Sequence, residues 1–400
     1  MSARRILRLK VIATIIAVAA GACAPSSGPP NSVVDSAGVR IVINSRPTWT
    51  PGAEWSVSPQ ASLRLPAGGN DSTPELLTVD GAFRTSDGSI IVGDRGASAV
   101  RFFDRAGKLV RTVGREGQGP GEFEYLSWMQ ACGGDSAFAL DNANGLVTVL
   151  GPDGRLGRRF SINTPEPGHS PFTTRCRRNG SILAAGWGSS EARPERPYRP
   201  VVPVSVAGPD GAVQADLGRF PGTEMAPEFR GATVRRLGRW LVLGIGDSTA
   251  WVATNESSEF RGFDRRSGAL RMLVRTPSVE HPVSSADWEF HRRRAIDSTD
   301  SEARRERVRN QFKATEPPKR FPSFLNLVVD ADNDLWFQPF PRVEDSVPRW
   351  LVFRPDGVFL GSVALPASLR GLEIGTNYVL GAGQDSTGAP YVALHDLWRR

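Results

Sequence analysis

Short runs of alternating hydrophobic and polar residues recur along most of this chain. A period of two residues predicts β-strands, and Asp-Gly or Asn-Gly between such runs predicts hairpins, because glycine readily adopts a positive φ. Five segments begin with a turn and continue as a short apolar strand: 87–92, 134–140, 179–183, 246–252 and 332–337. Each is followed by a second strand and a turn glycine: Gly107, Gly154, Gly211, Gly268 and Gly357.

The spacing of these glycines predicts repeated structural units. Successive glycines lie 47, 57, 57 and 89 residues apart, and the first three intervals suit propeller blades of about 40 to 50 residues with some loop insertions. The long last interval indicates an inserted segment. The runs 39–43, 55–65 and 378–397 do not fill a blade separately, so we expect the N-terminal and C-terminal strands to share one and close the ring. The pattern therefore predicts an all-β, six-bladed β-propeller of four-stranded antiparallel blades over residues 33–400, with five or seven blades as alternatives.

Residues 281–319 lose the alternating pattern and predict a short helical insertion. Ser284 or Ser285 is expected to cap one helix, and the capping-box pattern at 299–302 is expected to start a second, which Pro317 would end. Interleaved acidic and basic side chains suit a solvated helical face. The functional alternative is a lid over one mouth of the propeller, or a docking surface for a partner.

Two sets of residues resemble a known family. Residues 114–123 (GREGQGPGEF) closely resemble the G-x-G-P-G-E-F phrase of NHL-type repeats, and the runs 351–357, 372–375 and 378–381 resemble the bacterial six-bladed propeller lipoproteins. The resemblance extends over roughly residues 33–400 and implies an exported lipoprotein with a propeller fold. It implies little about function, because family members serve as binding scaffolds or, less often, as lyases and lactonases.

The N-terminus has the layout of a bacterial signal peptide, with a basic segment, 1–10, before the apolar run 11–20. That run is too short to span a bilayer comfortably. Small residues at 20–22 precede Cys23 and resemble a lipobox, in which the cysteine thiol accepts a diacylglycerol. We therefore expect lipidation at Cys23 and a flexible tether at 24–32. An ordinary secretory signal with an incidental cysteine is the alternative.

Charge gives little reason to expect a nucleic-acid partner. The whole chain carries +7, but Arg4, Arg5, Arg8 and Lys10 lie in the segment that cleavage would remove. The remaining 45 basic residues against 42 acidic ones leave +3, which offers little long-range attraction for polyanions. Frequent glycine (42) and proline (31) suit a turn-rich β-protein, and 400 residues allow one large domain or two.

No residue pattern predicts a catalytic site. The four histidines are scattered, and the sequence contains no H-E-x-x-H or G-x-S-x-G motif. The acidic run 330–334 has Leu335 and Pro341 where an EF-hand-like loop requires glycine and glutamate, so we interpret it as the turn of the fifth blade. We expect no catalytic residue, metal ligand or cofactor, although a divalent cation held by Asp, Asn and Glu in the central channel stays open.

Two cysteines remain once Cys23 is lipidated. Cys132 and Cys176 form an even pair in an oxidising compartment. They precede the turns at Gly134 and Asn179 by two and three residues, which places them at similar positions in adjacent repeats. A disulfide and two buried free thiols are both compatible with the sequence.

These observations favour a non-catalytic function. We expect an exported, membrane-anchored monomer that contacts the membrane through its N-terminal lipid and faces the periplasm or the cell surface. It would act as a scaffold for a small-molecule or protein ligand and bind no nucleic acid. The main alternative is a metal-dependent lactonase or lyase, which requires three or more Asp, Asn or Glu side chains to converge at one mouth of the channel. A purely structural envelope component, without a recessed polar site, is a third hypothesis.

Overall fold

The computed structural model describes residues 29–66, 75–166, 169–188, 197–228, 231–277, 281–297, 299, 301–345, 347–366 and 369–399. The expected signal peptide, Cys23 and residues 24–28 of the tether lie outside the described residues. Three strands precede the first blade: β1 (Asn31–Ser36), β2 (Val39–Asn44) and β3 (Ser56–Leu65). The expected boundary between tether and propeller at 32/33 therefore falls within β1.

Six blades form the body of the protein, and each has four antiparallel strands counted outward from the channel. Blade one contains β4 (Val79–Arg84), β5 (Ile90–Asp94), β6 (Ala99–Phe103) and β7 (Leu109–Val113), with a short 3₁₀ turn at Arg95–Ala97. Blade two contains β8 (Leu126–Ala131), β9 (Ala137–Asp141), β10 (Leu146–Leu150) and β11 (Leu156–Ser161). Blade three contains β12 (His169–Cys176), β13 (Ile182–Gly188), β14 (Val201–Ala207) and β15 (Val213–Pro221).

The second half of the ring carries the insertions. A hairpin of β16 (Met225–Glu228) and β17 (Gly231–Val234) precedes blade four, which contains β18 (Val242–Ile245), β19 (Thr249–Ala253), β20 (Glu259–Asp264) and β21 (Leu270–Arg275). Helices α1 (Ser285–Asp297) and α2 (Glu302–Ala314) follow. Blade five contains β22 (Asn326–Val329), β23 (Leu335–Gln338), β24 (Arg349–Phe353) and β25 (Phe359–Ala364). Blade six contains β26 (Arg370–Ile374), β27 (Tyr378–Gln384), β28 (Pro390–Trp398) and β3.

The inner strands form a closed ring. Each one contacts the inner strand of the next blade, in the order β4, β8, β12, β18, β22, β26 and back to β4. The predicted six-bladed propeller is therefore confirmed. We call the end of the channel where the inner strands begin the upper mouth, and the end where they finish the lower mouth.

An N-terminal strand closes the ring, as the sequence predicts for residues 55–65. β3 pairs antiparallel with β28, with Leu65 opposite Val392. The same expectation for residues 39–43 is wrong, because β2 instead pairs in parallel with β21 and extends blade four. Asn44 at the end of β2 also connects this strand to blade five: its side-chain Nδ2 donates to the carbonyl of Gly357 (3.0 Å), and its Oδ1 accepts from the backbone amide of Phe359 (2.8 Å).

The turn glycines and the interblade packing explain why these sequences fold as blades. The five glycines of the repeat have φ between +73° and +84°, a left-handed conformation that other residues rarely adopt. Apolar side chains that alternate along the strands are buried between neighbouring blades; Phe260 of blade four, for example, packs against Phe337 and Phe353 of blade five. The strands β5, β6 and β9 are buried on both faces because each blade packs between two neighbours, whereas β25 keeps a period-two alternation of buried and half-buried residues.

The predicted helical insertion is confirmed. Ser284 and Asp287 bond each other's backbone amides at the start of α1, both at 3.1 Å, which is a reciprocal cap. The capping residue of α2 is Ser301, whose hydroxyl accepts from the amide of Arg304, rather than Thr299. The Thr299 hydroxyl instead donates to the carbonyl of Ala295 in α1.

The hairpin β16–β17 was not apparent from the sequence. It lies beside the helices, where Gln311 of α2 donates to the Thr233 hydroxyl and Arg236 donates to Gln311. Neither helix, nor any other in the described part of the chain, has the length and apolar character of a membrane span.

Candidate functional site

The central channel contains a cavity of about 1200 Å³. The inner strands of all six blades contribute to its wall, because these strands surround the channel axis. Each blade contributes at least one residue to the wall; examples, in the order of the blades, are Asp80, Gln130, Arg175, Ile245, Asn326 and Arg370. A large concavity with a few convergent polar groups is the usual form of a ligand site.

Two arginines on opposite blades face this cavity. Arg175 of β12 donates to the carbonyl of Thr174 (2.9 Å) and to the side-chain oxygen of Asn326 (3.2 Å). Arg370 of β26 donates to the carbonyl of Val79 at 2.6 Å. All three acceptors are neutral oxygens, so these bonds satisfy N–H groups without neutralising either charge.

The charge of Arg370 acts on the guanidinium group of Arg175. Burial, together with the positive charge of Arg370, lowers the pKa of Arg175 to about 10. Burial also lowers the pKa of Arg370, and Asp80 opposes that change. Both side chains stay charged at neutral pH. The Arg370 side chain is surrounded by protein atoms, but it remains accessible to solvent in the channel. A ligand in the channel could therefore contact it.

Every carboxylate of the cavity wall already forms an ion pair with an arginine. Each of the five lies within salt-bridge distance of a different arginine: Asp80 of Arg95, Asp247 of Arg177, Asp330 of Arg399, Asp345 of Arg342 and Glu373 of Arg178. Arg175 and Arg370 are not members of these pairs. Arg175, which is half-buried, and Arg370, whose side chain is exposed, therefore carry positive charges that no carboxylate of the cavity wall contacts at salt-bridge distance among the described residues. Asp80 nevertheless attracts Arg370 electrostatically.

Two consecutive arginines of blade three span the lower mouth. Arg177 contacts Asp247 of blade four at 2.8 Å and donates to the carbonyl of Asp330 of blade five at 2.7 Å. Arg178 contacts Asp135 of blade two at 2.6 Å and Glu373 of blade six at 2.8 Å. Burial opposes the ionisation of Asp135, but hydrogen bonds from Ser86 and the charge of Arg178 prevail and lower its pKa. These contacts tie five blades together at one end of the channel.

Helix α1 forms part of the cavity wall at the upper mouth. Phe290, His291 and Arg294 of this helix line the cavity beside Phe340. The His291 ring lies 2.9 Å from the carbonyl oxygen of Pro341, and burial lowers its pKa. The insertion therefore contributes an aromatic rim to the opening, which is the position that the lid interpretation requires.

The two cysteines lie at the ends of neighbouring inner strands. Cys132 follows β8, Cys176 ends β12, and the structure joins them as a disulfide with their Cα atoms 5.5 Å apart. The amide of Cys176 also donates to the side-chain oxygen of Gln130 at 2.8 Å. The pair links blades two and three beside the cavity, and its formation under oxidising conditions stays a prediction.

The acidic turn of blade five is held by the C-terminus. Arg399 contacts Asp330 at 2.8 Å, Asp332 at 2.9 Å and Asp334 at 3.1 Å. Burial and the neighbouring charge of Asp330 raise the pKa of Asp334 to about 7. Among the residues that the structure describes, no group of three or more His, Cys, Asp or Glu is arranged to hold a metal ion.

The position of Arg175 within its repeat gives a partial indication that this residue faces the channel. Gln130, Arg175 and Glu373 each stand two positions before the residue whose amide closes the turn after the inner strand. The equivalent residues of the other three blades are Phe83, Gly244 and Val328, so only half of the blades have a polar residue at this repeat position. Arg370 does not occupy this position, so only the folded structure shows that it lines the same cavity as Arg175.

Comparisons with known proteins agree with the fold. A family model described as a 6-bladed beta-propeller matches residues 75–150, and no curated protein matches the sequence. A protein from Bacteroides fragilis described as exported shares 12% identity over 90% of this chain and 99% of its own, with a TM-score of 0.48.

Two enzymes are among the similar structures. A gluconolactonase from Xanthomonas campestris shares 13% identity over 84% of this chain and 100% of its own, with a TM-score of 0.41. A virginiamycin B lyase from Staphylococcus aureus shares 11% identity over 85% of this chain and 88% of its own, also with a TM-score of 0.41. Similarity at this level carries no inference about ligand or activity.

Proposed function

We propose that this protein is an exported, lipid-anchored binding scaffold that holds a small molecule in the central channel of its propeller. One observation carries the proposal: a cavity of about 1200 Å³ to which the inner strands of all six blades contribute. A site built on the inner strands is held by the hydrogen-bonded sheets of every blade, and rigid elements position binding groups well.

The arrangement of polar groups supports binding rather than catalysis by a metal. The acidic side chains of the cavity are each bonded to an arginine, and the three aspartates of the blade-five turn share Arg399. The lactonase or lyase alternative requires three such side chains to converge on one ion. We therefore favour a ligand that is bound by arginine and aromatic side chains.

A variant in which a large side chain blocks the channel tests the proposal. Val328→Trp places an indole in the cavity wall, where Val328 is half-buried, and Val110→Trp places the same side chain on an outer strand where Val110 is 61% exposed. Melting temperatures would be measured with glucose, glucuronate, citrate, arginine and glucose 6-phosphate. We expect at least one compound to stabilise the wild type and Val110→Trp but not Val328→Trp. If every shift is the same in all three proteins, the channel is not the site.

The lipid anchor is tested separately with Cys23→Ser. The substitution removes the thiol that would accept the diacylglycerol, and the helices of the described residues offer no membrane span to replace it. We expect the variant to move from the membrane fraction to the soluble fraction with an unchanged melting temperature. A variant that still resists extraction from membranes by carbonate would contradict lipid anchoring at this residue.

A further inference from the structure

We propose that the ligand of the channel is a small organic oxyanion, a carboxylate or a phosphate ester, bound by Arg175 and Arg370. This inference rests on the proposed function, because it names the class of ligand for the same cavity. It is carried by the charges, the free donor capacity and the apolar groups of the cavity wall.

The balance of charge is the first argument. Seven arginines and five carboxylates line the cavity. The five carboxylates are paired with Arg95, Arg177, Arg178, Arg342 and Arg399, so four of the seven cavity arginines lie outside these pairs: Arg175, Arg294, Arg349 and Arg370. Arg294 lies on helix α1 and Arg349 at the start of β24, whereas Arg175 and Arg370 lie on inner strands and donate to neutral oxygens, with Asp80 attracting Arg370 electrostatically. The charge of Arg370 disfavours the charged form of Arg175 in the same cavity, and an anion bound close to both groups would weaken that repulsion.

The donor capacity of the two side chains is the second argument. A guanidinium group carries five N–H donors in a planar fork that matches the oxygens of a carboxylate or a phosphate. Among the described residues, the bonds found for Arg175 use two of its donors and those for Arg370 use one. Donors on both groups therefore remain for a ligand.

The apolar part of the wall indicates an organic molecule rather than a bare ion. Trp128 of blade two, Phe290 of α1 and Phe340 of blade five line the same cavity as the two arginines. A cavity of about 1200 Å³ is far larger than an inorganic anion needs. A molecule with a carboxylate or phosphate group and a carbon body would use both kinds of surface.

Matched pairs of charged and neutral compounds test the inference. Calorimetric titration would compare glucuronate with glucose, benzoate with benzyl alcohol, and glucose 6-phosphate with glucose, at constant ionic strength set by sodium chloride. Citrate and sulfate would serve as simple oxyanion probes. The proteins are the wild type, Arg175→Gln, Arg370→Gln and a control, Arg158→Gln, whose guanidinium also donates to a backbone carbonyl but lies on an exposed outer strand.

We expect at least one oxyanion to bind the wild type and Arg158→Gln, and its affinity to fall about tenfold or more in Arg175→Gln and in Arg370→Gln. Its neutral partner should bind none of them. The comparison of glucuronate with glucose 6-phosphate then separates a carboxylate ligand from a phosphate ligand.

Two results would overturn the inference. If no oxyanion, including sulfate and citrate, binds more strongly than chloride, the channel is not an anion site. If an oxyanion binds all four proteins equally, it binds elsewhere. Binding of a neutral compound that Val328→Trp abolishes would leave the proposed function standing while this inference fails.

Discussion

The Arg178 guanidinium lies 2.8 Å from the Glu373 carboxylate, and this contact joins blade three to blade six across the lower mouth of the channel. Glu373 also accepts from the amide of Arg84 at 2.7 Å and from the Tyr378 hydroxyl at 3.1 Å. The pair thus connects three blades that are far apart in sequence. The lower mouth is held by side chains as well as by the sheets.

We expect Arg178→Gln to lower the free energy of unfolding by about 1–2 kcal/mol, because Glu373 and Asp135 each lose a charged partner at a partly buried site. Chemical denaturation at pH 7 measures the change. The control is Arg354→Gln, which breaks a more exposed contact with Asp356 and should cost under about 0.5 kcal/mol. Equal effects of the two substitutions would contradict the structural importance of the lower-mouth contact.

Closure of the ring predicts different effects for two N-terminal truncations. A chain that begins at residue 46 lacks β1 and β2, which extend blade four and contact blade five through Asn44 but complete no blade, so it should melt at a lower temperature but still cooperatively. A chain that begins at residue 67 also lacks β3, which leaves blade six with an open edge. Calorimetry should show loss of the cooperative transition only for the second chain. A cooperative, unchanged transition there would mean that β3 does not close the propeller.

The predicted and observed pairings of β2 and β3 show how much of the fold could be predicted from the sequence. Alternation of hydrophobic residues and the recurring turn glycines depend on neighbouring residues, and they predicted the blades and the closing strand 55–65. The pairing of β2 with β21 joins strands that are far apart in sequence, and the bonds from Asn44 to Gly357 and Phe359 cross more than 300 residues. Arg175 and Arg370 likewise line one cavity only because the inner strands of all six blades surround the same channel. Contacts of this kind leave no local pattern.

The disulfide between Cys132 and Cys176 predicts that the stability of the protein depends on redox conditions. Peptides that contain Cys132 and Cys176 should be joined when protein purified without reductant is analysed by mass spectrometry without reduction. The bond closes a loop between residues 44 positions apart, and its loss should cost about 2–4 kcal/mol of stability. Reductant should therefore lower the melting temperature of the wild type, and leave that of a Cys132→Ala, Cys176→Ala variant unchanged. Recovery of both cysteines as freely alkylated thiols from folded protein would refute the linkage.

The blade-five turn predicts a dependence of stability on pH. The pKa of Asp334 is about 7 in the folded protein and 3.8 in the reference state, so the folded protein retains a proton that the unfolded chain loses as the pH rises. The stability contributed by protonated Asp334 is therefore present below about pH 4 and lost as the pH rises towards and through 7. Asp334→Asn should flatten the profile of unfolding free energy in this window, whereas Asp153→Asn, in an exposed turn, should not. A profile unaffected by Asp334→Asn would show that this carboxyl titrates normally.

The most direct measurement of the central claim is anomalous diffraction from crystals of the protein soaked in selenate, a tetrahedral oxyanion whose selenium can be located without ambiguity. The account predicts an anomalous peak in the channel within hydrogen-bonding distance of both Arg175 and Arg370, and its absence in crystals of Arg370→Gln. Selenate found only on exposed arginines such as Arg158, with the channel empty in the wild type, would contradict the assignment of the channel as an anion-binding site.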